Sequence, residues 1–125
     1  MLRNKIIIIL GLVIVLFSGF AWADSVKKTV EGVYKEMAQL KGKQVQVRGK
    51  VVKVNNGIMK RNFLHIQDGS GGEGTNDLTI TSAQTAKIGD EITIEGTVVL
   101  DTDFGFGYKY PLLIEKSTIK NHTSK

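Results

Sequence analysis

Two short segments concentrate the residues that could do chemistry. Lys60, Arg61, Phe63 and His65 fall in one; Phe104, Phe106, Tyr108, Lys109 and Tyr110 fall in the other. Cations attract phosphate, and flat aromatic faces stack on bases, so the mixture fits single-stranded nucleic acid or a nucleotide. Five of the chain's nine aromatics belong to this set. The candidate ligand-binding residues are Lys60, Arg61, Phe63, His65, Phe104, Tyr108 and Lys109. Phe104 and Phe106 have a second reading. Gly105 and Gly107 would let both rings fold back as a plug, because large apolar residues are mostly inside. Phe63 is then the better platform, since its neighbours Leu64 and Ile66 already fill the core. His65 is first a hydrogen-bonded or solvated sheet residue and only second a ligand.

Other chemistries fit poorly. The chain has no cysteine, which excludes disulfides, thiolate metal sites, a cysteine nucleophile and a lipid-modified N-terminal cysteine. It offers no nucleophile–base–orienter set, so an enzyme is not expected. Gly69-x-Gly71-x-x-Gly74 has the spacing of a dinucleotide fingerprint, but it leads into a strand and reads as a flexible loop. Asp101-x-Asp103 lacks the ligand spacing of a calcium loop. Met59 and His65 alone make a poor copper site. Asn121-His122-Thr123 is a chance-level glycosylation sequon. No metal and no cofactor is expected.

The N-terminal segment reads as an address. Arg3 and Lys5 precede an uncharged, mostly apolar run from Ile6 to Phe20, and Ala21-Trp22-Ala23 gives a small-x-small cleavage site before Asp24. The run is short for a spanning helix, which wants about 20 apolar residues. A cleaved signal peptide over 1–23 and a periplasmic product are therefore expected. Of the 125 residues 102 would remain, with 15 basic and 12 acidic, so the formal +5 becomes +3. The charge is uneven: residues 24–61 carry a net +7 and residues 62–125 a net −4. Most of these charges should offset one another across paired elements.

The elements that must position the candidate residues follow from periodicity. Val26, Val30, Val33, Met37 and Leu40 form one face of a helix, predicted over 24–41 with Asp24 or Ser25 as cap. The period then changes to two. Strands are predicted at 43–54, 62–68, 78–81, 91–100 and 110–119, with a polar tail at 120–125. Within 43–54 the phase slips beside Gly49, as at a β-bulge or a bend. The 91–100 segment repeats that design around Gly96, with Lys43 corresponding to Asp90 and Arg48 to Glu95, charges that would offset one another if the two strands were neighbours. Long bent strands suit a small barrel. The prediction is a mainly β protein: a five-stranded OB-fold barrel over 42–119, preceded by an amphipathic helix. An SH3-like barrel and a small open sandwich are the alternatives.

The segments VRGKVVKV, GIMKRNFLHIQDGSG, GDEITIEGTVVLD and DFGFGYKYPLLIE resemble small exported bacterial proteins with a tRNA-anticodon-type OB domain. A tryptophan is common in that family at the position of Phe63, and a glycine at that of Lys60. The resemblance implies an OB fold and a nucleic-acid or nucleotide-binding label. OB folds bind across strands 2 and 3, between the loops joining strands 1–2 and 4–5, and here those loops hold the candidate residues. The expected function is thus a periplasmic OB-fold binding module for single-stranded nucleic acid, nucleotide or another anionic ligand. The alternatives are a protein-interaction or assembly module of an envelope or respiratory complex, and a copper or calcium carrier.

Overall fold

A computed structural model describes residues 25–123. The predicted signal peptide lies outside the described residues. The elements run in the order β1 (Val26–Lys27), α1 (Val30–Lys35), α2 (Met37–Leu40), β2 (Gln44–Ile58), β3 (Arg61–Gln67), β4 (Leu78–Ser82), β5 (Glu91–Asp103) and β6 (Lys109–Asn121). The protein is mainly β, as predicted. Its sheet order is β1-β2-β3-β4-β6-β5, and β2 also pairs with β5, so the sheet curls into a partly closed ring. Within the ring β4 and β6 are parallel and the other pairs antiparallel.

Alternation dictates the inward face. Val45, Val47 and Val51 of β2, Leu64 and Ile66 of β3, Leu78 and Ile80 of β4, Ile92, Ile94 and Val98 of β5, and Leu112 and Ile114 of β6 are buried together. Burying each such side chain contributes about 1.5–3 kcal/mol.

The phase slip in β2 is real, but it sits two residues later than Gly49. Val51 still faces inward, and the register shift falls between Val51 and Lys53. Gly49 has another task. A Cβ there would lie 2.9 Å from the Gln67 carbonyl oxygen, so the glycine lets β2 pass close to β3. Gly96 does the same on β5, where a Cβ would meet Ser117 Oγ at 2.5 Å and the Glu115 carbonyl at 2.9 Å, at a register shift against β6.

β2 and β5 are neighbours, but their charges do not meet in the order in which the two segments match along the chain. The antiparallel register sets Arg48 opposite Thr93 and Gln46 opposite Glu95. Arg48 Nε therefore reaches Glu91, at 3.3 Å, and not Glu95.

The single helix predicted over 24–41 is replaced by β1 and two short helices. Val26 pairs with Val45 in a parallel ladder and is 39% exposed, so it is off the buried face. The cap is Thr29, whose side chain accepts from the Gly32 amide. The helix breaks at Glu36, where φ is −113° and ψ is 18°. Val30, Val33 and Leu40 still reach the core.

The β3–β4 loop holds this segment down. Asp68 accepts from the Val30 amide at 3.0 Å, and Ser70 Oγ from the Glu31 amide at 3.0 Å. With Thr29 serving Gly32, the first donors of α1 all find acceptors. Burial pushes the Asp68 carboxyl up, but hydrogen bonds from Ser70 and from the Val30 amide outweigh it and hold the group below its ordinary range.

The predicted polar tail is partly sheet. β6 runs to Asn121, and Thr123 Oγ1 accepts from the Glu91 amide at 2.8 Å. Among the described residues no helix is long and apolar enough to cross a membrane.

Candidate functional site

The β2–β3 connection is tighter than the predicted 55–61 loop. Ile58 pairs with Arg61, leaving Met59 and Lys60 as the turn. Both have φ above zero, 53° and 65°, as the primed two-residue hairpin turns require. Asn or Gly usually fills such positions, so Lys60 is an uncommon occupant. The turn leaves Lys60 exposed at the sheet's end.

From Arg61 the strand alternates. Phe63 and His65 lie on the face opposite Leu64 and Ile66, as predicted. Phe63 is nevertheless only 2% exposed, so it is not the open platform expected of it. The β5–β6 hairpin folds its aromatics over it. The Phe104 ring lies 5.7 Å from Phe63, edge-on; the Tyr110 ring stacks at 5.6 Å; and the Tyr108 ring lies at 6.3 Å. Sequence alternation shows which face a residue occupies but not what covers that face.

Arg61 joins this cluster. Its guanidinium carbon sits 4.8 Å from the Phe104 ring centre. Its Nε lies 3.8 Å from Glu115 Oε2, which also accepts from Thr81 Oγ1 at 2.9 Å. Arg61 thus already has a carboxylate and a ring as partners, and the exposed cations of this region are Lys60 and Lys109. Glu115 and Thr81 were not among the sequence candidates. Their signal was the closeness of two strands that are distant in the chain, which no periodicity reveals.

The two glycine-flanked phenylalanines separate. Phe104 folds back onto Phe63, but over the outer face of the sheet. Phe106 does not plug anything: it is 96% exposed, with φ 56° between Gly105 at 84° and Gly107 at 86°. Tyr108 is 38% exposed. Burial, and then Tyr108 beside it, pushes the Tyr110 phenol above its ordinary pKa. Asp101, Thr102, Asp103, Lys109, Tyr110 and Pro111 line a groove of about 400 Å³ along this hairpin.

His65 lies two positions from Phe63 on the same face and opposite Thr79. Its Nδ1 is 2.7 Å from Asp77 Oδ1, and Gln67 Nε2 donates to Asp77 Oδ2 at 3.1 Å. The Tyr34 hydroxyl donates to the Asp77 carbonyl at 2.5 Å, tying α1 to the same loop. Burial, and then the Asp77 charge, raises the Tyr34 pKa. With Nδ1 engaged, Nε2 is the nitrogen His65 could offer a ligand. Asp77 was unmarked in the sequence.

Among the described residues no group of three His, Asp or Glu side chains is placed to hold a metal ion. Asp103 of the Asp-x-Asp pair instead accepts from the Gly105 amide at 2.8 Å and shapes the hairpin. A second groove, of about 440 Å³, runs beside Ser25, Lys27, Gln46 and Glu95, but no aromatic lines it.

No protein-family model matches the chain. No curated protein matches it in sequence. Solved structures do match in fold. One is a putative aspartyl-tRNA synthetase from Leishmania major Friedlin, with TM-score 0.56 and 15% identity over 80% of this chain. Another is Entamoeba histolytica asparaginyl-tRNA synthetase in complex with asparaginyl-adenylate, with TM-score 0.57 and 13% identity over 81% of this chain. The matches span only 21% and 24% of those two proteins. A third is OBody AM3L09 bound to hen egg-white lysozyme, with TM-score 0.51 and 17% identity over 70% of this chain and 88% of that one. These likenesses support an OB-like domain.

Proposed function

We propose that this chain is an exported, periplasmic OB-barrel module that binds single-stranded nucleic acid or a nucleotide and carries out no catalysis. The observation that carries the reading is the meeting of the β2–β3 turn with the β5–β6 hairpin through Arg61 and Phe104, 4.8 Å apart. That contact gathers Phe104, Tyr108 and Tyr110 with the exposed Lys60 and Lys109 at one end of the sheet. Stacking surface and phosphate-attracting charge are the two requirements of such a site. Two of the similar structures are tRNA synthetases, which by name act on an RNA. In OB folds this end of the sheet is the customary binding face. The ligand-binding residues of the proposal are Lys60, Lys109 and Tyr108, with His65 at the margin. Arg61, Phe63 and Phe104 form the support beneath them.

Chemical-shift mapping with a thymidylate oligonucleotide tests the site. Shifts confined to Lys60, His65 and the hairpin residues Phe106, Tyr108 and Lys109 support it. Shifts spread over the β1 side would place binding elsewhere. Fractionation with N-terminal sequencing tests the address, which requires a periplasmic product beginning at Asp24.

A protein-interaction module is the second reading. The OBody match is a chain of this fold holding lysozyme, and an exposed aromatic such as Phe106 is the type of residue that anchors protein interfaces. A stoichiometric partner recovered from periplasmic extract, and lost with Phe106→Ala, would favour it over nucleic acid.

A further inference from the structure

The β5–β6 hairpin tip has an unusual construction. Gly105, Phe106 and Gly107 all have φ above zero, at 84°, 56° and 86°. Glycine takes such angles at no steric cost, but a bulky aromatic there is uncommon and strained. The tip is nonetheless fixed. The Phe104 amide donates to the Tyr108 carbonyl at 2.8 Å, Tyr108 to Gly105 at 3.0 Å, and Lys109 to Gly107 at 3.2 Å. The Gly105 amide donates to Asp103 Oδ1 at 2.8 Å. These bonds hold a phenyl ring 96% exposed, with no core residue against it. Strain kept in place by surrounding bonds is characteristic of binding sites.

Resting on the nucleic-acid reading above, we infer that Phe106 is a wedge that enters between two adjacent bases of a flexible single strand. The ring is open on both faces, so it can take a base on each side. A mononucleotide offers only one base and leaves the other face wet. Phe63 has no open face, and Tyr108, at 38%, presents a partial one. The ligand class is therefore an unpaired oligonucleotide of at least two or three residues, not a free nucleotide. Lys60 and Lys109 flank the path for phosphates, while Asp101 and Asp103 lie on the same hairpin and dilute the positive charge. Stacking must then supply an unusually large share of the affinity.

The test uses the full chain carrying Trp22→Phe and Phe106→Trp, so that the indole at the hairpin tip is the sole one. It is titrated with a thymidylate oligomer of about eight nucleotides, a length within the span of one OB domain. Thymidine monophosphate and anionic lipid vesicles are titrated in parallel. Binding of labelled oligomer is also measured for the parent chain, Phe106→Ala and Phe106→Leu. Quenching of the tip indole by the oligomer, a binding loss of about 5- to 150-fold in both Ala and Leu variants, and unchanged urea midpoints support the wedge. Monophosphate should bind at least about tenfold more weakly than the oligomer. Parent-level oligomer binding by Phe106→Ala, or binding without a change in the indole emission, overturns the wedge while the nucleic-acid reading stands. No oligomer binding by the parent chain at low salt overturns both. A blue shift of the indole emission with vesicles alone assigns the tip to a membrane surface and also overturns the wedge.

Discussion

Phe63 and Phe104 meet edge to face, with ring centroids 5.7 Å apart and planes at 88°. The contact fastens the β5–β6 hairpin onto the outer face of β3. It converts what alternation marks as a solvent-facing aromatic into the floor of a second, smaller apolar cluster. Arg61 lies over the upper ring and is held by Glu115. The end of the sheet therefore has a packed base and an exposed tip.

Phe104→Ala should cost about 1–3 kcal/mol. The ring is half-buried, so the cost is below the roughly 3–5 kcal/mol of a fully buried phenylalanine. The urea midpoint reads this directly. Phe106→Ala serves as the control and should leave the midpoint unchanged, since its ring is 96% exposed.

Gly96→Ala should destabilise by about 1–3 kcal/mol through overpacking, because its Cβ would lie 2.9 Å from a carbonyl oxygen and 2.9 Å from Ile114 Cγ2. Gly72→Ala should be neutral, as nothing lies within 4 Å of its Cβ and its φ is not positive. Thermal denaturation of the pair checks the contrast.

Much of this was legible in the chain. Five strand positions follow from period, and the irregularity at Gly96 follows from glycine placement. Other features did not. Val26 looks helical by spacing, but Thr29 offers a better cap, and Val45 offers Val26 a strand to pair with. Phe63 looks open in the sequence because alternation shows direction and not cover. Glu115, Thr81 and Asp77 become part of the site only through strand crossings and a loop that bring distant residues together. The separation of Phe104 from Phe106 is also hidden, since both have glycine neighbours. It is decided by backbone angles at the hairpin tip.

Asp68 should make the N-terminal segment acid-sensitive. Its pKa is lowered in the folded state, so its contribution is fully present above the unfolded value, about 3.9, and is lost as pH falls through the folded one. Asp68→Asn should remove this part of the acid dependence. It should also speed hydrogen exchange at Val30 and Glu31, measured at neutral pH. Equal exchange in both proteins would show that the loop does not hold the helix.

Lys60→Gly should leave stability equal or raise it by up to about 1.5 kcal/mol. It relieves a left-handed side-chain clash worth about 1–2 kcal/mol and adds glycine's entropy cost of about 0.5–1. If Lys60 contacts phosphate, the same change should weaken oligonucleotide binding, so stability and affinity would move in opposite directions.

The salt dependence of oligonucleotide binding addresses the binding face most directly. For the parent chain and the Lys60→Ala, Lys109→Ala double variant, log K should fall linearly with log salt. The variant's slope should be shallower by about 1.4, an increment of about 0.7 for each of the two lysines that neutralises a phosphate of a single strand. Equal slopes in the two proteins, or no binding by the parent chain at low salt, would contradict a nucleic-acid site at this end of the sheet.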